Sequence, residues 1–335
     1  MMVKLKHVAE KAQVSISTVS KVLNNAKVEV AISAKTRERV HRVARELGYL
    51  PNAAARALRK REFRTLGVVG SSPNFFRVKP ETHSFNTEAI RGLMDGAVSR
   101  GYHAILLSGM ETQPEAGGAF ADVGMADGLL VINRDLGAKD TYLATIRNSG
   151  KPVMYVLDYP DDPDVLAAAP DDAQGGELAT SKLLAAGCKR IAVVRKDYYR
   201  TIFDRRQQGW AAALKHAGLR AGPELELDID ALDVDRLRSL GVDGIVTLNE
   251  QIATTLIARL TEAGLRIGED VRLVSFDYET CIPGPPRGFS TVREPLATIV
   301  EDAVHRLVDT LEGKPVDEKQ RLFRYTYSNG SSIGG

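Results

Sequence analysis

Four side chains near the N-terminus could together contact nucleic acid. They offer two hydroxyl groups, one cation and one apolar group, at Ile16, Ser17, Thr18 and Lys21. If residues 16–23 form a helix, Val19 and Val22 point into a small core and the four side chains lie on the opposite face. Small polar groups and a cation suit contact with base edges and phosphates. The pattern predicts a DNA-recognition helix, and the alternative is an ordinary amphipathic helical pair at a domain edge.

Three short helices are predicted to position this face. The apolar residues of KLKHVAEKA fall on one side of a first helix, a turn follows at Gln13 and Val14, and Ser15 can cap the second helix. Ser33 can cap a third helix, whose apolar residues recur every three or four positions and which Gly48 would stop. The pattern indicates a compact helix-turn-helix headpiece.

Charge separates this N-terminal part from the rest of the chain. Residues 1–64 carry 15 Lys and Arg against five Asp and Glu, whereas the remaining 271 residues carry 30 against 38. The overall net charge of +2 therefore conceals a basic module attached to an acidic body. Such a module is the electrostatic signature of a phosphate-binding domain.

A short basic segment follows the third predicted helix. The sequence NAAARALRKR, residues 52–61, is rich in alanine, but isolated helices shorter than about 12 residues are marginal in water. We expect it to become helical only when DNA or a second copy of the same segment orders it. The alternative is a flexible basic linker.

From Phe63 onward, β and α patterns alternate. Apolar runs typical of buried parallel strands are TLGVVG, HAILLSG, GLLVIN and PVMYVLDY, then RIAVV, GIVTLN and VRLVSFD. The first four would form one lobe, and a second lobe would start near Pro170. Two such series predict two doubly wound sheets facing each other across a ligand-binding cleft.

Polar side chains at the predicted strand ends and neighbouring turns are candidates for the cleft. They are Asp171, Arg206, Asn249 and Asp277. Ligands of open α/β sheets bind beyond the carboxyl ends of the strands, and these groups suit vicinal hydroxyls or a carboxylate. Each alone could instead be a helix cap or a surface ion pair. In the first lobe Phe75, Phe76 and Phe85 are candidate stacking surfaces or core residues, and we take Phe85 for the cleft.

Other functional classes lack their signatures. The sequence has no G-x-G-x-x-G after a strand, no phosphate-binding G-x-x-x-x-G-K-[ST] loop, no G-x-S-x-G and no H-E-x-x-H, so we expect neither an enzyme nor a bound cofactor. The six histidines are scattered and Cys188 and Cys281 lie far apart, which favours neither a metal site nor a disulfide framework. The N-terminus is polar and no stretch of about 18 apolar residues occurs, so we expect a cytoplasmic protein without membrane contact rather than a secreted solute-binding protein.

The chain resembles the lactose-repressor (LacI/GalR) family of bacterial transcription regulators over nearly its whole length. The resemblance rests on VAEKAQVSISTVSKVLN and SAKTRERVHRVARELGYLPNAAARAL. It implies base-reading positions at Ile16, Ser17 and Lys21, and a minor-groove wedge at Leu58. Ser15, Thr18, Asn24, Asn52 and Ala55 complete the predicted DNA-contacting set. In the core, DRRQQGW, TLNE and SFDY resemble effector-contacting segments of the family, at Arg206, Asn249 and Asp277.

This resemblance implies an α/β chain with an all-α helix-turn-helix headpiece and a two-lobed core like that of type I periplasmic binding proteins. The expected domains are a headpiece at 1–50, a hinge helix at 51–62 and an effector-binding and dimerisation core at 63–335. The N-terminal lobe would comprise about 63–165 and 284–315, and the C-terminal lobe about 166–283 and 316–335.

The implied function is that of a repressor which binds a palindromic operator as a homodimer and responds to a small polar effector. We favour a carbohydrate, with a nucleobase, a polar acid or a protein corepressor as alternatives. Two departures concern the headpiece: the 25–32 loop is about three residues longer than usual, and Lys4 and His7 replace a Thr cap and an acidic residue. The C-terminus has no leucine heptad tail, which favours a dimer over a coiled-coil tetramer.

Overall fold

The computed structural model describes residues 3–23, 32–49, 62–70, 83–107, 123–132, 146, 148–160, 162–196, 200–276 and 289–334. The chain divides into two compact units, Met1–Phe63 and Arg64–Gly335. No helix in these ranges is long and apolar enough to cross a membrane.

The first unit contains the three predicted helices. They are α1 (Leu5–Ala12), α2 (Ile16–Leu23) and α3 (Ala34–Glu46). Their apolar faces meet in one core, to which each helix contributes at least two buried residues. The predicted caps are present, since Ser15 Oγ accepts from the Thr18 N–H at 3.1 Å and Ser33 Oγ from the Thr36 N–H at 3.2 Å.

An unusual contact begins α1. The backbone N–H of Lys4 donates to Nδ1 of His7 at 3.2 Å, so an imidazole makes the reciprocal hydrogen bond that an acidic side chain makes in a capping box. At the other end of the unit, Gly48 has a φ of 65° and ends α3. Helix α1 therefore keeps a hydrogen-bonded start, although Lys4 and His7 differ from the residues usual in the family.

The first lobe of the second unit is a six-stranded parallel sheet. Its strands are β1 (Thr65–Gly70), β2 (His103–Leu107), β3 (Gly128–Ile132), β4 (Val153–Val156), β5 (Ala167–Pro170) and β11 (Gln320–Phe323). They are ordered β11-β5-β4-β3-β1-β2. Two long helices, α4 (His83–Ser99) and α9 (Leu296–Leu311), pack together in this lobe and bury the apolar side of α9.

The second lobe contains another six-stranded sheet. Its strands are β6 (Ile191–Arg195), β7 (Glu226–Asp228), β8 (Gly244–Thr247), β9 (Arg272–Phe276), β10 (Thr291–Arg293) and β12 (Thr326–Ser328), ordered β12-β10-β9-β8-β6-β7. Only β12 runs antiparallel to its neighbour among the described pairs. The helices are α5 (Asp172–Ala185), α6 (Arg200–His216), α7 (Val234–Ser239) and α8 (Glu250–Glu262), with 3-10 turns at Pro223–Leu225 and Ser331–Ile333. The prediction of two doubly wound sheets is confirmed.

The chain passes between the lobes at three places. It leaves the first sheet after β5, returns between β10 and α9 at residues 294–295, and leaves again between β11 and β12 at residues 324–325. Compared with the expected lobe boundaries, β5 and β11 lie in the first sheet rather than the second, and β10 lies in the second rather than the first. The sequence of β5 gave no strand signal because Ala-Ala-Ala-Pro lacks β-branched and aromatic residues, yet all four residues are buried.

Backbone contacts between helices depend on glycine in both lobes. A Cβ atom at Gly176 would collide with the carbonyl oxygen of Arg206, and one at Gly209 with that of Ala173. A Cβ atom at Gly92 would collide with the carbonyl oxygen of Ala297, between α4 and α9. Because each colliding atom belongs to the backbone, a side-chain rotation cannot relieve the clash, and one helix of the pair would have to shift as a whole.

We predict that Gly209→Ala lowers the free energy of unfolding by about 1–3 kcal/mol, because it forces α5 and α6 apart. Urea denaturation of the full chain measures this loss. The control is Gln208→Ala, at an exposed position on the same helix, which should change stability by less than about 0.5 kcal/mol. Equal stabilities of the two variants would contradict the backbone contact.

Candidate functional site

The predicted DNA-contacting face on α2 is exposed within the headpiece. Ile16, the first residue of the helix, is 55% exposed, and Ser17 and Lys21 are also exposed. Ser15 and Thr18 are engaged at the helix start, where their hydroxyl oxygens lie 2.8 Å apart. The headpiece therefore presents one apolar group, one hydroxyl and one cation on α2, and holds two further hydroxyls in the cap.

Several predicted site residues lie outside the described residues. They are Asn24, Asn52, Ala55 and Leu58 of the DNA-contacting set, Asp277 of the effector set, and the alternative aromatics Phe75 and Phe76. The other predicted positions, in α2 and in the core, can be located.

Arg206 on α6 is the centre of a buried polar network in the second unit. Only 1% of the residue is exposed. Its Nε donates to Oδ1 of Asp172 at 2.7 Å, its Nη1 to the carbonyl oxygen of Leu248 at 2.6 Å, and its Nη2 to the hydroxyl of Tyr325 at 2.7 Å. The guanidinium carbon also lies 4.1 Å from the ring centroid of Phe276. Hydrogen bonds in the plane and an aromatic ring on the face hold this side chain in one position.

This network brings together the neighbours of the other predicted effector residues. Asp172 follows Asp171, Leu248 precedes Asn249 and Phe276 precedes Asp277 in the sequence. Arg206 thus contacts the sequence neighbour of each of these three predicted positions. Arg206 is buried and links these segments through its hydrogen bonds and its contact with Phe276.

The same network joins all three passages between the lobes. Asp172 follows the first passage, Glu294 lies in the second and Tyr325 in the third. The hydroxyl of Tyr325 lies 2.8 Å from Oδ1 of Asp172 and 3.3 Å from Oε2 of Glu294. Any rearrangement of the lobes about these passages acts directly on this cluster.

Burial controls the electrostatics of Asp172. Loss of solvent raises the pKa of its carboxyl group, while the Arg206 guanidinium and the Tyr325 hydroxyl oppose part of that rise. Its second oxygen, Oδ2, has no hydrogen-bond partner among the described residues. The ionised form is therefore stabilised mainly through one oxygen, and it depends on the arginine.

Asp171 and Asn249 are both helix N-caps. Oδ1 of Asp171 accepts from the Gln174 N–H at 3.0 Å at the start of α5, and Oδ1 of Asn249 accepts from the Ile252 N–H at 2.9 Å at the start of α8. Both side chains are half-buried. The capping role considered from the sequence is thus present at both positions.

A cavity of about 350 Å³ opens between the lobes beside this cluster. Phe85 and Arg91 of α4 line it from the first lobe, and Glu250 of α8 and Arg293 from the second. The second passage contributes residues 294–295, the start of α9 contributes residues 296–298, and β12 contributes residues 326–328. Its volume is at the lower end of the range for small-molecule sites, and its lining mixes carboxylates, guanidinium groups and apolar surface.

Sequence reasoning missed several residues of this region. Asp172, Glu294 and Tyr325 of the network were not predicted, and Arg205 was passed over in favour of Arg206. One signal was available, since Arg205-Arg206 and Asp171-Asp172 are adjacent pairs of charged residues, in which the second member is buried and the first is half-buried. Among the described residues, no group of three or more His, Cys, Asp or Glu could hold a metal ion.

Two family models match the chain. Residues 4–52 match the model described as bacterial regulatory proteins, lacI family, and residues 180–333 match the periplasmic binding protein-like domain. The first match contains the α1 to α3 headpiece, and the second contains most of the second lobe together with the passages at 294–295 and 324–325.

Known proteins align with nearly the whole chain. The HTH-type transcriptional repressor PurR of Aliivibrio fischeri (strain MJ11) is 27% identical over 338 residues, covering 96% of this chain and 95% of that protein. A structure of the transcriptional regulator CelR in complex with cellobiose is 25% identical, with a TM-score of 0.69 over 98% of this chain and 99% of that one. The lac repressor dimer bound to operator and the anti-inducer ONPF shares the fold, with a TM-score of 0.79 at 22% identity over the whole of both chains. Over nearly its whole length this chain is thus similar to transcriptional regulators of the lacI family, whose model its headpiece matches.

Proposed function

We propose that the chain is a homodimeric repressor that binds a palindromic operator through α2, with an operator affinity controlled by a small polar effector bound between the lobes. The observation that carries the proposal is the Arg206 network, because it couples the cavity lining to all three passages between the lobes. A ligand in that cavity can favour one lobe arrangement over another.

The headpiece supports the DNA-binding half of the proposal. Ile16, Ser17 and Lys21 are exposed together on α2, as a helix that enters the major groove requires. The excess of Lys and Arg over residues 1–64 supplies attraction to phosphates. Binding to unrelated DNA should therefore weaken steeply as salt rises, while binding to the operator retains its base contacts.

An exposed apolar stripe supports the homodimer. Ile90, Met94 and Val98 recur every four residues along α4 and are between 40% and 67% exposed. Leu106, which is 49% exposed, lies on β2, an edge strand of the same lobe. The opposite side of α4 is packed against α9, so this stripe is the face available to another molecule. A second copy is the occupant we propose, because a palindromic operator presents two equivalent half-sites.

The cavity chemistry favours a carbohydrate. Carboxylates and guanidinium groups form paired hydrogen bonds with vicinal hydroxyls, and Phe85 offers an apolar surface for the face of a sugar ring. CelR, which aligns with 98% of this chain, has been solved with cellobiose. A nucleobase, a polar acid and a protein corepressor are the alternatives.

The effector acts through the lobe equilibrium. We infer that lobe movement repositions the first lobes of the dimer and, with them, the headpieces that bind the operator. A ligand that favours the DNA-binding arrangement is a corepressor, and one that disfavours it is an inducer. Coupling of either sign is typically about 1–3 kcal/mol, or about 5- to 150-fold in operator affinity.

A ligand screen tests the effector half of this proposal. We expect a sugar from a panel of mono- and disaccharides, sugar phosphates, nucleobases and small acids to raise the melting temperature of the full chain. At 100 times its Kd, such a ligand stabilises the folded state by about 2.7 kcal/mol. The same compound should change operator affinity at least about fivefold. A panel without any compound that does both would contradict the small-molecule proposal.

A further inference from the structure

We propose that Arg205 is an interlobe latch, whose contact with Asp158 and Tyr159 holds the two lobes in the arrangement seen here. The proposal rests on effector control through lobe movement, because the latch sets the resting equilibrium on which an effector would act. It concerns a residue that neither the cavity lining nor the Arg206 network contains.

The three residues come from different lobes. Arg205 is on α6, the helix after β6 in the second sheet, whereas Asp158 and Tyr159 follow β4 in the first sheet. Both segments lie beyond the carboxyl ends of parallel strands, which is the side where a cleft between doubly wound sheets opens. The contact therefore crosses the cleft rather than bracing one lobe.

The geometry is that of a strong charged contact. Nη1 of Arg205 donates to Oδ1 of Asp158 at 2.6 Å, and Nη2 donates to the carbonyl oxygen of Tyr159 at 3.3 Å. The guanidinium carbon lies 3.8 Å from the centroid of the Tyr159 ring. Asp158 is fully buried and the Arg205 side chain is only 14% exposed. A planar cation that hydrogen-bonds along its edge and stacks on an aromatic face uses properties of arginine that lysine lacks.

Because the contact joins the two lobes, its strength affects the equilibrium between lobe arrangements. The Arg205–Asp158 pair must break when the lobes move apart. It therefore stabilises only the joined arrangement and shifts the population toward that arrangement. The second lobe contains a matched pair in Arg195 of β6 and Asp204 of α6, whose Nη1 and Oδ1 atoms lie 2.8 Å apart. Because both partners move together, that pair is the same in every lobe arrangement.

Energy transfer between the lobes tests the latch without any ligand or DNA. The chain has one tryptophan, Trp210, which is buried in the second lobe and can act as donor. An acceptor dye is attached to Asp164→Cys, an exposed position of the first lobe after Asp158. Cys281→Ser removes one native thiol, and Cys188 is buried away from the reagent. The measurement uses the full chain.

Transfer efficiency should fall in Arg205→Gln, because the ratio of separated to joined lobes should rise about tenfold or more when a charged hydrogen bond is lost. Arg205→Lys should give an intermediate value. Transfer efficiency should fall by a similar amount in Asp158→Asn. In the double variant it should fall no further than in the more affected single variant, since the two residues form one contact.

Arg195→Gln is the matched control and should leave transfer unchanged. Melting temperatures identify any variant that loses its fold. If Arg205→Gln does not fold, the transfer efficiency of Arg205→Lys tests the latch instead. Unchanged transfer in a folded Arg205→Gln chain would overturn the latch, as would an equal fall in Arg195→Gln. Failure of the regulator proposal would appear separately, as absence of operator binding or ligand response.

Discussion

Replacing Arg206 with Met should lower the free energy of unfolding of the core by about 3–5 kcal/mol, the cost of breaking a buried ion pair by removing one partner. The arginine satisfies Asp172, the Leu248 carbonyl and the Tyr325 hydroxyl at once. Methionine fills much of the volume but supplies no hydrogen bond, so among the described residues Asp172 would keep only its contact with Tyr325. This loss exceeds that expected from the Gly209 collision.

The loss should also depend on pH. Burial already raises the pKa of Asp172, and Arg206 opposes that rise, so its removal should raise the pKa further. A group with a raised folded-state pKa contributes stability while protonated, and this contribution is lost as pH rises through that pKa. The loss in free energy of unfolding caused by Arg206→Met should therefore be smaller at about pH 4 than at about pH 7.

Urea denaturation of the full chain at both pH values measures this effect. The control is Arg195→Met, which breaks the more exposed pair with Asp204 and should cost no more than about 1 kcal/mol. A deficit for Arg206→Met as small as that of the control would show that the buried network contributes little to the fold.

Replacing Ile16 with Asp should weaken operator binding about 100-fold or more. The change removes an apolar group from the base-reading face of α2 and places a carboxylate beside phosphates. Ile16 is the first residue of α2, where a negative charge interacts favourably with the helix dipole. The headpiece should consequently remain folded, and the loss should arise in the DNA interface.

Fluorescence anisotropy with a labelled operator duplex measures this loss. His41→Asp places the same carboxylate on the exposed side of α3 and should weaken binding less than tenfold, about the effect of one long-range charge. Similar losses in both variants would mean that only net charge matters. Operator affinity unchanged by Ile16→Asp would remove α2 from the interface.

The headpiece could be predicted from the sequence because its contacts are local. Apolar residues three and four apart define each helix, and Ser15 and Ser33 cap helices through residues three positions later. Local spacing contains this information. The substitution of His7 for an acidic residue looked like a departure, but an imidazole nitrogen can accept the same backbone hydrogen bond.

The cleft was only partly predictable, because its contacts are long-range. The strand-end rule selected Asp171, Arg206 and Asn249 as candidates, but it could not show that two of them cap helices and one is buried. Arg206 and Tyr325 are 119 residues apart, and Tyr325 and Asp172 are 153 apart. Only the threefold passage of the chain between the lobes brings them together. The first of these passages follows β5, a strand that the sequence did not predict because its alanines have low strand propensity.

Selection of duplexes from a random-sequence DNA library by the full chain tests the central claim most directly. The account predicts enrichment of a two-fold symmetric sequence, since two copies of α2 would read equivalent half-sites. It also predicts that the Ile16→Asp chain enriches no such sequence under the same salt conditions. Recovery of DNA without any common sequence, or of the same symmetric sequence by the Ile16→Asp chain, would contradict a regulator that reads its operator through α2.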